Sequence, residues 1–172
     1  PLTDDGRVHE SALRALLDDN LRHGAHGFWM AGSTGEGPIL TEDQRDTVAR
    51  ISAEVCKGRG RVIMHVGAIS TASAVKAART ARAVGCDAVC CVPPFFFPSS
   101  ERSRIEHYRA VADAADGLPF YVYNLPQLTQ VVVNLAIAVD PTAFQPGMFD
   151  QPEQALIFLG AHGFRLGQPG VV

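Results

Sequence analysis

The chain has 172 residues, of which 47% are hydrophobic and 19% charged, and its formal net charge at pH 7 is −3. This composition is typical of one globular domain, and a weakly acidic chain has no electrostatic reason to bind nucleic acid or a membrane surface. No apolar run reaches the roughly 18–20 residues of a membrane-spanning helix. We therefore expect a single domain over residues 1–172 with neither kind of partner. Because the chain begins at Pro1 and not at a methionine, we also expect it to be a fragment of a longer protein.

Segments with helical periodicity alternate with short apolar segments along the first part of the chain. Helices are predicted over residues 9–24, 41–57, 71–84 and 100–115. Strands are predicted over residues 27–31, 61–66, 87–92 and 119–124. Continuous apolar strands separated by helices indicate a parallel sheet that is covered on its faces. Two α/β architectures fit this pattern, a (β/α)8 barrel and an open doubly wound sheet.

The pattern changes after residue 126. Residues 131–139 are almost entirely apolar without a clear period, and residues 140–147, with two prolines and a glycine, indicate a loop. We expect a helix over residues 151–159 and a turn at residues 160–164 that leads into a last short strand.

The cysteines and histidines indicate neither disulfides nor a metal site. There is no C-x-x-C spacing among the four cysteines, and we expect free buried thiols in a reducing compartment, by default the cytoplasm. The six histidines show no metal-ligand spacing, so no metal is expected. His65 lies among apolar strand residues and is predicted to be a buried core histidine whose polar atoms are satisfied.

A glycine-rich turn, Gly32-Ser33-Thr34-Gly35-Glu36, follows the first predicted strand. Such a turn exposes backbone N–H groups and small hydroxyls, which suit a carboxylate or phosphate. The alternative is that its glycines only turn the chain. For Glu36, orienting the loop and forming a structural salt bridge are both open.

A tyrosine, Tyr123, stands at the end of the fourth predicted strand. A tyrosine in that place can pass a proton to a bound substrate. Taken alone it is also compatible with a purely structural role.

Five motifs together resemble one family of enzymes. They are Gly32-Ser33-Thr34-Gly35-Glu36, His65-Val66-Gly67, Asp87-Ala88-Val89, Pro93-Pro94-Phe95-Phe96 and Tyr123-Asn124-Leu125-Pro126. The chain resembles the dihydrodipicolinate synthase and N-acetylneuraminate lyase family of (β/α)8 TIM-barrel aldolases from residue 1 to about residue 133. A weaker similarity to the family's seventh-strand region returns at residues 149–150 and 159–163.

The resemblance implies roles for particular residues. Ser33 and Thr34, with Gly32 in the same loop, would hold the carboxylate of pyruvate or another 2-oxo acid. Thr34 would also join a hydroxyl relay with Tyr123, the proton-shuttling catalytic group. Asp150 would bind the glycerol-like tail of a sugar acid. The family's nucleophile is a lysine that forms a Schiff base with the substrate, so no cofactor is implied.

The resemblance also bears on the branch of the family and on assembly. Leu128 stands where the synthases carry an arginine, which favours the sialic acid lyase branch: reversible cleavage of N-acetylneuraminate to N-acetylmannosamine and pyruvate. An aldolase or dehydratase for another 2-keto-3-deoxy sugar acid is the alternative. Phenylalanines at residues 95–97 replace the tyrosines that the family often has there, one of which reaches across a subunit interface. The family implies a homotetramer.

The expected Schiff-base lysine is not found. The chain has two lysines, Lys57 and Lys76, both predicted on helix surfaces, and neither lies in the window of about residues 145–160 where the nucleophile is expected. We expect a deletion with its junction within residues 131–147, and a barrel that lacks its first strand, its sixth-strand region and its C-terminal helices. A non-catalytic product is therefore a further alternative.

Overall fold

A computed structural model describes residues 1–131, residue 133 and the backbone of residues 156–159. Four helices and four strands alternate along the chain: α1 (Glu10–Arg22), β1 (Gly27–Met30), α2 (Glu42–Cys56), β2 (Arg61–His65), α3 (Thr71–Val84), β3 (Ala88–Cys91), α4 (Glu101–Ala114) and β4 (Phe120–Tyr123). Three shorter elements complete the described part: a 3₁₀ turn (Gly37–Ile39), α5 (Pro126–Thr129) and β5 (Leu156–Leu159). The predicted helices and strands up to residue 124 are confirmed.

The sheet distinguishes between the two predicted architectures. Its strand order is β1-β2-β3-β4-β5, and β1 to β4 are parallel, each pairing with the next strand along the chain. Each helix from α1 to α4 packs against the next one. A doubly wound sheet reverses its strand order and carries helices on both faces, whereas a barrel keeps one direction and one helical layer. The chain therefore forms part of a (β/α)8 barrel.

The main core lies between the sheet and this helical layer. Strand side chains such as Met64, Val89 and Val122 are buried against the helices. On α3, three fully buried alanines face the sheet: Ala74, Ala78 and Ala81. Their small side chains leave room for close helix–sheet packing, which explains why this helix is rich in alanine.

Helix ends follow the local sequence. Thr41 and Gln44 form the reciprocal capping box that their spacing predicts at the start of α2. At the end of α3, Gly85 adopts a left-handed conformation with φ of 86°, as expected of a C-terminal glycine. The start of α2 and the end of α3 are therefore fixed by residues that can be recognised in the sequence.

A buried histidine on α4 ties three elements of the core together. His107 Nδ1 lies 2.9 Å from Thr71 Oγ1, and its Nε2 lies 3.4 Å from Cys91 Sγ. Burial lowers the pKa of His107 to about 4 and raises the pKa of Cys91 to about 12, so both groups are neutral. The cluster is a hydrogen-bonded core network, with no ionised thiol for chemistry.

The prediction of a helix over residues 151–159 is wrong in its second half. Residues 156–159 form β5, which pairs antiparallel with β4, with Leu156 opposite Tyr123. A short apolar run such as Leu-Ile-Phe-Leu fits a helix or a strand by periodicity alone, and the unpaired edge of β4 favours the strand. Because β5 is antiparallel, the barrel's parallel pattern ends at β4.

Several predictions fall outside the described residues. These are the loop at residues 140–147, Asp150, the turn at residues 160–164 and nearly all of the deletion junction. Within the described part, the four cysteines are free and buried as expected. No helix of this part is long and apolar enough to cross a bilayer.

Candidate functional site

The glycine-rich turn after β1 is held by two backbone hydrogen bonds. The N–H of Glu36 donates to the Ser33 carbonyl and the N–H of Gly37 to the Gly32 carbonyl, both at 3.1 Å. Ala31 and Glu36 adopt left-handed φ angles of 54° and 53°, which is uncommon for residues with a Cβ. The chain therefore reverses sharply between Ala31 and Gly37.

Gly37 is required where this turn closes. A Cβ at Gly37 would lie 1.8 Å from the carbonyl oxygen of Ala31, so no side chain fits there. This packing fixes the two ends of the turn against each other, and the residues between them project outward. Ser33 and Thr34 are accordingly exposed.

The exposed part of the turn has free hydrogen-bond donors. Within the described residues, no acceptor occupies the backbone N–H groups of Ser33 and Thr34. The Thr34 hydroxyl is also free of partners in this part of the chain. Two N–H groups and two hydroxyls in one turn provide the donors that a carboxylate needs.

The structure brings Ser33 and Tyr123 together although they are 90 residues apart. Their side-chain oxygens lie 3.4 Å from each other, and either hydroxyl can donate to the other. Each residue lies at the carboxyl end of a parallel strand or just beyond it, so both are at the carboxyl-terminal end of the sheet. The hydroxyl next to Tyr123 is thus the one of Ser33, where the resemblance implied Thr34.

The Tyr123 ring belongs to a cluster on the sheet face opposite the helices. Because side chains alternate along a strand, Trp29, His65, Cys90 and Tyr123 share this face. The rings of Trp29 and Tyr123 have their centroids 4.8 Å apart and are inclined at 57°. Tyr123 also packs with Val92. The phenol is therefore buried up to its hydroxyl, which fixes the direction in which that hydroxyl points.

His65 lies directly below this ring. The two ring centroids are 6.0 Å apart in an edge-to-face arrangement at 84°. Burial, reinforced by the nearby charge of Arg45, lowers the pKa of His65 to about 3, so the imidazole is neutral. The prediction of a buried histidine is confirmed, but neither ring nitrogen has a hydrogen bond within the described residues, so the prediction that it is satisfied is wrong.

The sequence prediction missed Arg45 on the first turn of α2. Its guanidinium is buried and donates to the carbonyl oxygens of His65 at 2.9 Å and Gly67 at 3.3 Å. Burial lowers its pKa. The sequence does indicate that Arg45 is buried, because it lies on the same helical face as three small core residues, Ala49, Ser52 and Cys56.

Both lysines lie away from the hydroxyl pair, as predicted. Lys76 forms a 2.7 Å ion pair with Glu42 between exposed helix surfaces. Lys57 lines a cavity of about 570 Å³ with Arg61 and Asp87, at the opposite, amino-terminal edge of the sheet. Glu36 is exposed and has no ion pair within the described part.

Comparisons with known proteins assign this arrangement to a family. A sequence model of the Dihydrodipicolinate synthetase family matches residues 1–139 and so ends before the weaker resemblance predicted at residues 149–150 and 159–163. The chain is 40% identical over 135 residues to the N-acetylneuraminate lyase of Escherichia coli (strain SMS-3-5 / SECEC), covering 78% of this chain and 46% of that protein. The chain thus spans about half the length of the curated relatives that it matches.

Solved structures agree with the sequence comparison. The sialic acid aldolase of Ruminococcus gnavus, solved as wild type and as a catalytic lysine mutant, is 28% identical, with TM-scores of 0.74 and 0.75 over 77% of this chain and 44% of that chain. A prophage protein of the dihydrodipicolinic acid synthase family from E. coli K12, solved in complex with pyruvate, is also 28% identical. Its TM-score is 0.74 over 78% of this chain and 45% of its own.

Proposed function

This chain belongs to the Dihydrodipicolinate synthetase family. We therefore propose that Tyr123 and the glycine-rich turn between Ala31 and Gly37, called the β1–α2 turn below, are one half of a pyruvate-dependent lyase site. The parent reaction is the reversible cleavage of N-acetylneuraminate to N-acetylmannosamine and pyruvate. The observation that carries the proposal is the 3.4 Å contact between the Ser33 and Tyr123 hydroxyls beside a turn with free N–H donors.

In this proposal the turn holds the substrate's carboxylate and the tyrosine moves a proton. The N–H groups and hydroxyls of Ser33 and Thr34, with Gly32 giving the backbone close access, donate to the carboxylate oxygens. The lysine of an intact site attacks the 2-oxo carbon, water leaves, and the protonated imine accepts the electron pair of the breaking C3–C4 bond. As that carbon becomes the aldehyde of the second product, Tyr123 accepts the proton that leaves the C4 hydroxyl and passes its own phenolic proton through the Ser33 hydroxyl to the bound carboxylate.

Several finer points remain proposals that rest on the resemblance. Leu128 is exposed and apolar, which supports the lyase branch over a branch that needs an arginine there. Asp150 is the proposed ligand of the sugar-acid tail. A homotetramer in the cytoplasm is proposed for the parent protein, and the free buried thiols support a reducing compartment.

A second candidate, a non-catalytic product, is favoured by the positions of the lysines. Lys76 is paired on the helical layer, and Lys57 lies at the opposite edge of the sheet. Neither amine reaches a carboxylate that is held beside Ser33. We therefore propose that this chain alone binds pyruvate without forming a Schiff base.

The test is borohydride reduction of the full chain with pyruvate, followed by intact-mass measurement, beside saturation-transfer NMR of the pyruvate methyl group. We expect a methyl signal but no covalent adduct. The signal should disappear in the Ser33→Ala/Thr34→Ala variant and persist in Thr80→Ala, a matched control on α3. A stable covalent adduct would contradict the proposal that this chain is non-catalytic. Absence of any methyl signal in the wild-type chain would overturn the carboxylate-binding proposal itself.

A further inference from the structure

His65 occupies a place between the two halves of the proposed site. In the sheet register it pairs with Cys90, which pairs with Tyr121, and Tyr123 is the next residue on the same face of β4. The imidazole therefore lies one layer below the Tyr123 ring and meets it edge to face. A ring in this place limits how far the phenol can tilt away from Ser33.

The other side of the imidazole meets the start of the β1–α2 turn. The backbone of Ala31 faces the ring and favours its protonated form, although the contact does not have the geometry of a hydrogen bond. Ala31 is the residue whose left-handed backbone begins the reversal that presents Ser33. One side chain thus adjoins both the turn and the tyrosine.

The surroundings of His65 are shaped around its ring. A Cβ at Gly67 would lie 2.9 Å from His65 Nε2 and 2.8 Å from the backbone nitrogen of Val92, so only glycine leaves the imidazole room. Arg45 holds the His65 and Gly67 carbonyl oxygens from the opposite side of the strand. Both the backbone and the ring of His65 are therefore confined by their neighbours.

Core packing alone does not account for a histidine here. A buried polar group without a hydrogen bond lowers stability, whereas leucine would fill similar space without that penalty. His107, equally buried, differs because both of its ring nitrogens have partners. Of the two fully buried histidines in the described part, only His65 has ring nitrogens without hydrogen bonds.

We propose that His65 is a positioning residue that holds the Ser33–Tyr123 hydroxyl pair in contact, by wedging the Tyr123 ring from below while supporting the turn at Ala31. It deepens the proposed function, because it names the residue that sets the geometry of the proton-transferring pair. His65 itself touches neither hydroxyl and acts through the two elements it separates.

The test measures whether Ser33 and Tyr123 remain coupled when His65 is replaced. Tyrosine carrying a ring-carbon label gives an NMR signal for Tyr123, assigned by its loss in Tyr123→Phe. In the wild-type chain, Ser33→Ala should shift this signal because the two hydroxyls are in contact. In a His65→Leu background the same Ser33→Ala change should shift it by less than half as much.

The matched control is His107→Leu, which removes an equally buried histidine away from the site. In that background the shift caused by Ser33→Ala should be retained in full, even at equal loss of stability. Pyruvate affinity should fall about tenfold in His65→Leu and less than twofold in His107→Leu, as expected when binding groups are displaced. Full retention of the Ser33 effect in folded His65→Leu would overturn the positioning role.

The outcomes of these tests are kept separate. If the wild-type chain binds no pyruvate, the proposed function fails, and the NMR coupling still decides the role of His65. If His65→Leu does not fold, NMR distance contacts of the His65 ring in the wild-type chain decide it. Contacts from the imidazole to both the Tyr123 ring and Ala31 are expected, and the absence of either would contradict the proposal.

Discussion

Ser33 and Tyr123 show what single residues contribute to the site. The two hydroxyls lie 3.4 Å apart, and the turn that carries Ser33 begins at Ala31, whose φ is left-handed. The Tyr123 side is fixed by ring packing with Trp29 and His65. The buried guanidinium of Arg45 is occupied by the backbone carbonyls of His65 and Gly67.

The two buried histidines predict an acid sensitivity of the fold. Histidine in an unfolded chain has a pKa of about 6.5, whereas the folded values are about 3 for His65 and about 4 for His107. Each ring is thus kept neutral by folding, so its stabilising contribution is complete above about pH 6.5. That contribution is lost as the pH falls toward the folded pKa, by about 1.4 kcal/mol per pH unit and histidine.

Urea unfolding at about pH 7 and about pH 5 measures this effect. We expect the free energy of unfolding to fall by roughly 2–4 kcal/mol between the two, since the shifted pKa values of both rings contribute. His107→Leu should remove about half of the fall. The groups around His107 are the neutral Thr71 and Cys91, so little else near it titrates in this range. An equal stability at both pH values would contradict the assignment of neutral buried rings.

At this scale the sequence predicts residue types better than their geometry. Tyr123 and the Ser33–Thr34 turn are recognisable because hydroxyls and glycines follow predicted strands. The choice of Ser33 over Thr34 as the partner of Tyr123 could not be predicted, because a left-handed alanine is rare and leaves no sequence signal. The unpaired nitrogens of His65 were also beyond prediction, because hydrogen-bond satisfaction depends on atoms from other elements.

Among the elements, the β1–α2 turn is the one whose backbone is most constrained. Gly37 lies against the carbonyl of Ala31 with no room for a side chain, while Gly32 has only an ordinary contact with the Trp29 ring. The two glycines stand in the same turn and differ in this one respect. They form a matched pair for testing the turn.

Gly37→Ala should open the turn, because the new methyl group would displace backbone and not a flexible side chain. We expect it to lower the free energy of unfolding by about 2–4 kcal/mol, in the range of severe overpacking. Gly32→Ala should change it by less than about 1 kcal/mol. Urea unfolding of both variants checks this, and equal losses would show that the close approach at Gly37 does not limit the turn.

Secondary structure was predictable where periodicity and end signals agreed. The capping box at Thr41 and the left-handed Gly85 mark the ends of two helices, and the predicted helices over residues 41–57 and 71–84 are confirmed. The helix predicted over residues 151–159 failed because four apolar residues carry no reliable period. Their pairing with β4 depends on an edge that the local sequence does not describe.

At the scale of the whole molecule, exposed apolar side chains are unevenly distributed over the described surface. Exposed large side chains follow the strands at the same edge of the sheet as Ser33 and Tyr123: Ile39, Ile69, Phe96, Phe97 and Leu128. Phe96 and Phe97 are the most prominent pair, with ring centroids 4.9 Å apart and exposures of 78% and 69%. Exposed apolar side chains in contact with each other, such as these two rings, promote association.

We expect the chain to self-associate with rising concentration, and the Phe96→Ser/Phe97→Ser variant to do so less. Leu16→Ser is the matched control, because Leu16 is also exposed but lies on α1, away from this edge. Sedimentation velocity over a wide concentration range makes the comparison. Identical behaviour of the phenylalanine variant and the wild-type chain would place the associating surface elsewhere.

Periodicity alone narrowed the architecture to two choices, and only the family resemblance indicated the barrel. A barrel and a doubly wound sheet share the alternation of apolar strands and helices, so periodicity cannot separate them. The strand order β1-β2-β3-β4 and the single helical layer separate them because they depend on which strands meet, a long-range property.

That strand order has a consequence for how the chain folds. Neighbouring strands are separated by roughly thirty residues of sequence, so each can join the growing sheet as soon as it leaves the ribosome. The contact between Ser33 and Tyr123 bridges 90 residues and cannot form until the fourth strand has arrived. Contacts of such separation are slow to form because a long loop must close first. We therefore expect the hydroxyl pair to form only after the strands between its members have joined the sheet, so that a change in one of those strands prevents the contact without altering Ser33 or Tyr123.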